Sequence, residues 1–218
     1  MRYAFLAAFV AFSAVHLYAS LKCDKLLRGI TKVFLIPALL GWYITSVAVP
    51  LKIVVAALVT SWLGDVLLMC GVVGFVIGGA SFFLSHICFV RAYSMHVDMS
   101  IVPLWLVIIA ALVYLVAVIA STRTLEGKTK YKFIYPGIIA YMTVNGVMNC
   151  YALFQLVTVP CLATAVMYVG AVSFFVSDAI LFHVRFGHDW PFKTHFAVML
   201  FYLLAEFLIT TGFIMLAG

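Results

Sequence analysis

The chain has 218 residues, of which 67% are hydrophobic and 9% are charged, and its formal net charge is +6. This much apolar surface could not be hidden from water, so the composition excludes a soluble globular protein. The basic residues lie in short connections beside apolar runs, where membrane orientation and anionic headgroups account for them, so nucleic-acid binding is not expected.

Apolar runs of about 20 residues recur along the chain, and each could cross a bilayer as a helix. Backbone amides cannot stay unpaired in lipid, and the runs show no alternating pattern, so the sequence predicts an all-α polytopic membrane bundle. The eight predicted transmembrane helices cover residues 3–21, 33–49, 53–69, 72–90, 101–120, 133–153, 160–182 and 195–216. The connections are short, so residues 1–218 are expected to form one integral membrane domain.

Basic residues are concentrated on one side of this predicted bundle. The odd-numbered connections hold Lys22, Lys25, Arg28, Lys32, Arg123, Lys128, Lys130, Lys132, Arg185 and Lys193, whereas the opposite side holds Arg2, Lys52 and Arg91. Because cytoplasmic loops carry the excess of Lys and Arg, the odd-numbered connections are predicted to be cytoplasmic. Both termini are then expected outside the cell or in a lumen.

Two spans carry an aspartate inside apolar sequence: Asp65 in span three and Asp178 in span seven. Ionisable residues within a membrane are costly and are functional candidates by default. Both spans run toward the cytoplasmic side, and each aspartate comes four or five residues before the end of its span. Both are therefore expected at a depth of roughly 6 to 8 Å, where two carboxyls could cooperate.

Other polar residues are candidates for substrate binding or for supporting the site, and several follow helical spacing. They are His16 and Lys32 near the cytoplasmic ends of spans one and two, His86 in span four, Tyr141, Asn145 and Asn149 in span six, Ser177 in span seven, and Tyr202 and Glu206 in span eight. Of these, the tyrosines and asparagines of spans six and eight are expected to line a cavity. His86 and Glu206 are expected to lie deeper than the rest. Gly74 and Gly78 form a small-xxx-small pair that predicts close helix packing.

Each candidate also has a structural interpretation. Asp65 and Asp178 could order the bundle through an interhelical hydrogen bond or through a salt bridge to Lys32. Lys32 itself could extend its ammonium to the interface, or it could hold a phosphate or carboxylate. The functional interpretation is preferred for the aspartates, because two acids at one depth can differ in ionisation, so that one donates a proton while the other accepts one.

Metal and protease chemistry are less well supported. The ligand-type residues His183, His188, Asp189 and His195 match no compact zinc motif, so no metal and no cofactor are expected. A Ser-His-Asp triad is disfavoured, because Ser177 and Asp178 are adjacent and point about 100° apart on a helix. An intramembrane aspartyl protease is disfavoured because Trp62 replaces the first glycine of a Gly-x-Gly-Asp motif and no Pro-Ala-Leu sequence occurs.

Several short motifs occur together in an order that resembles a known family. They are Thr31-Lys32, Gly64-Asp65, Phe75, Gly78, the stretch Phe82-Phe83-Leu84-Ser85-His86, Pro136, Tyr141, Gly170-Ala171, Phe175-Val176-Ser177-Asp178 and Tyr202-x-x-Ala205. The chain resembles the YhhN family, which includes the transmembrane protein 86 lysoplasmalogenases, over nearly its whole length. It departs at Glu206, where the family usually has Gln, and at Val33, where the family tends to have Pro.

The resemblance implies hydrolysis of the vinyl ether bond of a lysoplasmalogen, which releases a fatty aldehyde and glycerophosphoethanolamine or glycerophosphocholine. Asp65 and Asp178 would then share proton donation and water activation, in an order that the sequence leaves open. The lysophospholipid substrate would reach the site laterally from the bilayer, with Lys32 near its phosphate. The resemblance implies the endoplasmic reticulum membrane for a eukaryotic protein and the plasma membrane for a bacterial one.

A different class of function is kept as an alternative. The same acids could couple protons or ions in a lipid or small-solute transporter. The sequence has no visible inverted repeat, which counts against a transporter. The oligomeric state is left open.

Overall fold

The computed structural model describes residues 1–126, 134–186 and 194–218, apart from the side chain of Thr194. These residues form eight α-helices and contain no strand. The helices are α1 (Arg2–Lys22), α2 (Lys25–Ser46), α3 (Lys52–Leu67), α4 (Gly71–Ser94), α5 (Leu104–Arg123), α6 (Ile134–Thr158), α7 (Leu162–Phe186) and α8 (Thr194–Ala217). The predicted all-α architecture is confirmed for the described part of the chain.

Seven of these helices are long and apolar enough to cross a membrane, judged by length and composition. The protein is therefore a multi-pass integral membrane protein. The exception is α3, whose 16 residues span about 24 Å at 1.5 Å per residue, less than the roughly 30 Å of a hydrocarbon core. Of the eight predicted spans, all eight are present as helices, and seven of them meet the length and composition of a span.

The end of α3 explains the difference. The helix stops at Leu67 rather than at residue 69, and a turn through Cys70 leads to Gly71, whose φ of 74° is in the left-handed region. Glycine adopts this conformation without the steric penalty of a side chain. The turn starts α4 directly and leaves α3 short.

The start of α2 also differs from the prediction. Asp24 caps the helix, because its side chain accepts a hydrogen bond from the Leu27 amide at 3.0 Å, so α2 begins at Lys25 rather than at residue 33. The first two turns are rich in basic residues, which a hydropathy pattern does not count as membrane sequence. Lys32 consequently lies about two turns inside α2.

Helices that follow each other in the chain make many of the contacts: α1 packs on α2, α3 on α4, and α7 on α8. The predicted close approach at Gly78 is confirmed, since a Cβ there would lie 3.0 Å from the backbone oxygen of Gly64. Gly170 packs against α8 in the same way, at 3.1 Å from the Ala205 oxygen. These contacts bring the ends of α3 and α7 into fixed positions beside α4 and α8.

Candidate functional site

A cavity of about 570 Å³ opens at the end of the bundle where α2 and α8 begin and α3 and α7 end. Both predicted aspartates line it. The other lining residues are His16, Lys25, Arg28, Gly29, Lys32, Leu68, Met69, Phe75, Phe82, Ser177, Leu181, Arg185, His195, Val198, Met199 and Tyr202. Acidic, basic and apolar side chains therefore line the same cavity.

Asp65 is 2% exposed, and both of its carboxyl oxygens have partners. Lys32 Nζ lies 3.1 Å from Oδ1, and the Tyr202 hydroxyl donates to Oδ2 at 2.7 Å. A buried carboxylate is stable only when it is paired and hydrogen-bonded. Lys32 is thus a carboxylate partner rather than an interfacial lysine, and the salt bridge considered as the structural interpretation is present.

Asp178 has a different environment. The Tyr141 hydroxyl donates to its Oδ2 at 2.9 Å, the Asn145 amide donates to the same oxygen at 2.8 Å, and His86 Nε2 lies 3.4 Å from it. Its Oδ1 has no hydrogen-bond partner among the described residues. Since Asp178 lines the cavity, this carboxyl has one oxygen held by three groups and one oxygen free to meet a ligand.

The tautomer of His86 follows from its other ring nitrogen. Nδ1 lies 2.7 Å from the Phe82 carbonyl oxygen, and a carbonyl can only accept, so Nδ1 carries a hydrogen. Nε2 is therefore the ring nitrogen that approaches Asp178 Oδ2, at 3.4 Å, in a contact without hydrogen-bond geometry.

A string of hydrogen bonds orients the Asn145 amide. Asn149 Nδ2 donates to Asn145 Oδ1 at 3.0 Å, and the Tyr114 hydroxyl donates to Asn149 Oδ1 at 3.1 Å. Every donor in the string points toward Asp178. Neither asparagine lines the cavity: Asn145 donates to the Asp178 carboxyl, and Asn149 donates to Asn145.

Aromatic rings connect the surroundings of the two aspartates. The Tyr202 ring packs edge to face against Phe82 and Phe174, at 5.8 and 5.5 Å between centroids, and the His86 ring packs against Phe174 at 4.7 Å. Asp65 and Asp178 accept hydrogen bonds from different donors and not from each other. The two aspartates therefore line one cavity without a hydrogen bond between them.

His16 and Ser177 also line the cavity, and each has a polar atom bonded within the protein, although His16 Nε2 has no hydrogen-bond partner among the described residues. His16 is 1% exposed, and its Nδ1 bonds to Thr31 Oγ1 at 2.8 Å. The Ser177 hydroxyl donates to the Val198 oxygen at 3.0 Å. Ser177 therefore ties α7 to α8, an arrangement unlike that of a nucleophilic serine.

Glu206 is fully buried and does not line the cavity. Neither of its oxygens has a partner of good hydrogen-bonding geometry in the described ranges, although the Ser61 hydroxyl is beside it. An isolated carboxylate would be very costly there, which favours the neutral acid. Glu206 lies one turn beyond Tyr202 on α8, and its role stays open.

Basic side chains surround the open end of the cavity. Lys25, Arg28, Arg185 and His195 join Lys32 in its lining. The sequence indicated the lysines and arginines as orientation signals and did not assign them to the site. These basic residues are concentrated near the starts of α2 and α8. They make the mouth of the cavity suitable for binding an anion such as a phosphate.

Residues 127–133 and 187–193 lie outside the described ranges. The basic residues Lys128, Lys130, Lys132 and Lys193 and two members of the considered metal cluster, His188 and Asp189, are among them. Within residues 1–126, 134–186 and 194–218, no group of three His, Cys, Asp or Glu side chains could hold a metal ion. His183 instead bonds to Thr124 Oγ1 at 2.7 Å.

Comparisons with known proteins agree with this description at the level of the family. No curated protein and no solved structure matches the chain. The YhhN family model matches residues 27–213, a range that contains Lys32, both aspartates and Tyr202. Because this match covers most of the 218 residues, the chain belongs to the YhhN family.

Proposed function

We propose that the protein is a membrane hydrolase that cleaves the vinyl ether bond of a lysoplasmalogen. The observation that carries the proposal is the pair of unlike carboxyls on one cavity. Asp65 is matched by the Lys32 ammonium, and Asp178 shares its surroundings with His86. One acid is thereby suited to remain an anion and the other to deliver a proton.

Vinyl ether hydrolysis needs both functions. Protonation of the β-carbon converts the C=C–O group to an oxocarbenium ion, and water adds to the carbon next to oxygen with loss of a proton. The resulting hemiacetal then collapses to the fatty aldehyde and to glycerophosphoethanolamine or glycerophosphocholine, whose freed glycerol hydroxyl is the leaving alcohol. A proton donor and an anionic group near the cation are what this sequence requires, as in other reactions that pass through oxocarbenium-like states.

The contacts favour a division of these roles. Asp178 lines the cavity, and its Oδ1 has no partner among the described residues, so we assign proton donation to Asp178, with the nearby His86 as its proton source. Asp65 keeps its negative charge through Lys32 and Tyr202. It is placed to stabilise the oxocarbenium ion and to orient the attacking water.

The substrate and the membrane orientation follow from the basic mouth. A lysophospholipid would place its phosphate among Lys25, Arg28 and Arg185, with its ether group at the aspartates below. This mouth is on the side predicted to be cytoplasmic, so both termini would be lumenal or outside the cell. The proposed location is the endoplasmic reticulum for a eukaryotic source and the plasma membrane for a bacterial one.

This orientation requires α3 to cross the membrane, although the helix has only 16 residues. The two ends of the helix support such a crossing. The Leu51 amide at its start donates to the Tyr43 hydroxyl on the second half of α2 at 3.1 Å, whereas Asp65 near its end pairs with Lys32 on the first half. All eight helices would then traverse the membrane, with α3 shielded by its neighbours.

The test is turnover by purified protein in detergent. A lysoplasmalogen and its saturated alkyl-ether analogue are offered in parallel, and released aldehyde is measured. We expect aldehyde from the vinyl ether only, because only that substrate can be protonated to an oxocarbenium ion. Absence of aldehyde over a range of pH values and detergents would exclude the proposed reaction.

Transport is a second candidate because the fully buried Glu206 carboxyl has no role in the proposed hydrolysis. Such a group could take up and release a proton during a conformational cycle. Transport needs two compartments, whereas hydrolysis does not. Proton-coupled lipid or solute uptake by sealed vesicles, without aldehyde formation in detergent, would favour this candidate.

A further inference from the structure

A second cavity of about 300 Å³ lies between α4, α6 and α7, on a face with exposed apolar residues. We call it the apolar groove. Its lining includes Phe75, Val76, Gly79, Phe83, Gly137 and Ile138. The groove contains no charged side chain, so its contents must be apolar.

Two glycines keep this groove open. A Cβ built on Gly79 or on Gly137 would meet no atom within 4 Å, whereas one on the adjacent Gly78 would press on the backbone of α3 at 3.0 Å. Glycine is disfavoured in helix interiors relative to alanine. Helix packing gives no reason for glycine at these two positions, and the space that they leave is part of the groove.

The apolar groove is continuous with the wall of the candidate site. Phe75 lines both cavities. Tyr141 lines the groove and donates its hydroxyl to Asp178 at 2.9 Å. A ligand that occupied the groove would therefore have one end next to the carboxyl assigned to proton donation.

Charge is distributed unequally on the two sides of Phe75. The Arg185 guanidinium lies 5.1 Å from the centre of its ring, on the side of the basic mouth, whereas Gly79 and Phe83 continue the groove on the other side. A ligand that fits both regions has an anionic head and a hydrocarbon tail. At about 300 Å³, the groove is at the lower limit of ligand cavities, which favours one chain over two.

We propose that the apolar groove binds the single hydrocarbon chain of a lysophospholipid and that Gly79 and Gly137 set the length of chain accepted. The inference rests on the proposed function for the identity of the lipid. The phosphate lies at the basic mouth, the ether bond lies beside Asp178, and the chain runs between α4 and α6 toward the bilayer.

The first test is chain-length preference. Turnover of lysoplasmalogens that differ only in alkenyl chain length is compared for the wild type, Gly79→Leu and Gly137→Leu. Each variant should lose about tenfold or more in kcat/KM for long chains relative to short ones, since an obstructed apolar pocket discriminates by such factors. Ala111→Leu, which adds bulk to the exposed face of α5, is the matched control and should keep the wild-type preference.

The second test does not depend on turnover. An alkyl-ether lysophospholipid with a photoreactive diazirine in its chain is cross-linked to the protein, and the labelled peptides are identified by mass spectrometry. We expect labels on α4 and α6 at the groove, reduced at least about tenfold in Gly79→Leu. Equal labelling of the groove by a two-chain phospholipid would overturn the proposal.

The two tests separate the possible failures. Groove labelling without aldehyde formation would support chain binding and refute the hydrolysis. Aldehyde formation with unchanged chain preference in both leucine variants would refute the groove assignment and leave the hydrolysis intact.

Discussion

At the scale of single residues, the two aspartates differ in the groups that stabilise their buried carboxyls. Asp65 is paired with a basic side chain on a neighbouring helix, whereas Asp178 accepts from neutral donors and lies against an imidazole. Burial makes such partners necessary, because removing a carboxylate from bulk water is costly unless it is paired and hydrogen-bonded. The same residue type therefore has two different environments in one cavity, which is the basis of the proposed division of roles.

Replacing Asp65 separates stability from activity. Asp65→Asn should destabilise the protein by about 3 kcal/mol, the lower end for a broken buried pair, since Lys32 is 15% exposed. Lys32→Met combined with Asp65→Asn should recover most of that loss while remaining inactive. Thermal unfolding in detergent and aldehyde release measure the two effects. A single variant as stable as the wild type would show that the pair is not coupled.

His86 is predicted to matter for the chemical step. His86→Gln should lower kcat by about 10² to 10⁴ with little change in KM, because glutamine can fill the space but cannot carry a proton. His96→Gln, in the connection after α4, is the matched control and should behave as the wild type. A kcat for His86→Gln within a factor of about two of wild type would place the proton source elsewhere.

At the scale of helices, adjacent glycines on α4 have opposite roles. Gly78 lies against the backbone of Gly64 and Leu68 on α3, whereas Gly79 faces open space. Alanine at the first position would force α3 away from α4 and move Asp65, which follows Gly64 directly.

This contrast gives a paired prediction. Gly78→Ala should destabilise the protein by about 1 to 3 kcal/mol through overpacking, and Gly79→Ala should be neutral or stabilise it by up to about 1 kcal/mol. Thermal unfolding of both variants in one detergent is the measurement. Equal effects at the two positions would contradict the described packing of α3 on α4.

The hydrogen-bond string across α5, α6 and α7 predicts an effect at a distance from the cavity. Tyr114→Phe removes the donor to Asn149 and frees the Asn145 amide to turn, which should reduce kcat by up to about tenfold, the equivalent of one hydrogen bond. Tyr151→Phe is the control, because Tyr151 is a tyrosine of α6 that takes no part in the string. Identical kcat values in both variants would remove the string from the mechanism.

The helices and most of the site's members were accessible to sequence reasoning, and the reason is periodicity. Spacing within one helix places Tyr141 and Asn145 on one face, and both donate to Asp178. Spacing does not give the rotation of one helix against another. Spacing therefore did not indicate that Asn149 and Glu206 lie away from the cavity, or that Phe75 and Arg185 line it.

A related limit applies to helix ends. Hydropathy could not indicate that α2 begins at Lys25 or that α3 ends at Leu67. The first boundary is made by the Asp24 cap within a basic segment, and the second by a turn at Gly71. Tyr114 could have been noticed as a polar group within the apolar sequence of α5, but its partner on α6 could not.

At the scale of the whole molecule, native cysteines can test the orientation. Cys23 precedes α2 and Cys70 follows α3, so α2 and α3 lie between them. If α3 crosses the membrane as α2 does, the two cysteines are on the same side, at the basic mouth; if α3 does not cross, they are on opposite sides. A membrane-impermeant maleimide on sealed vesicles should therefore label both before permeabilisation or both only afterwards. Labelling of Cys23 and Cys70 from opposite sides would contradict a crossing by α3.

The salt bridge between α2 and α3 also constrains how the protein is made. A charged side chain in a membrane helix opposes insertion, by about 2.5 to 3.5 kcal/mol at the helix centre and by less toward its ends. Lys32 and Asp65 belong to consecutive helices joined by a short connection, and they pair at 3.1 Å. Insertion of α2 and α3 together as a hairpin, with the two charges matched, would reduce this cost. We therefore expect Lys32→Met or Asp65→Asn alone to lower the amount of protein inserted into membranes more than the double variant does.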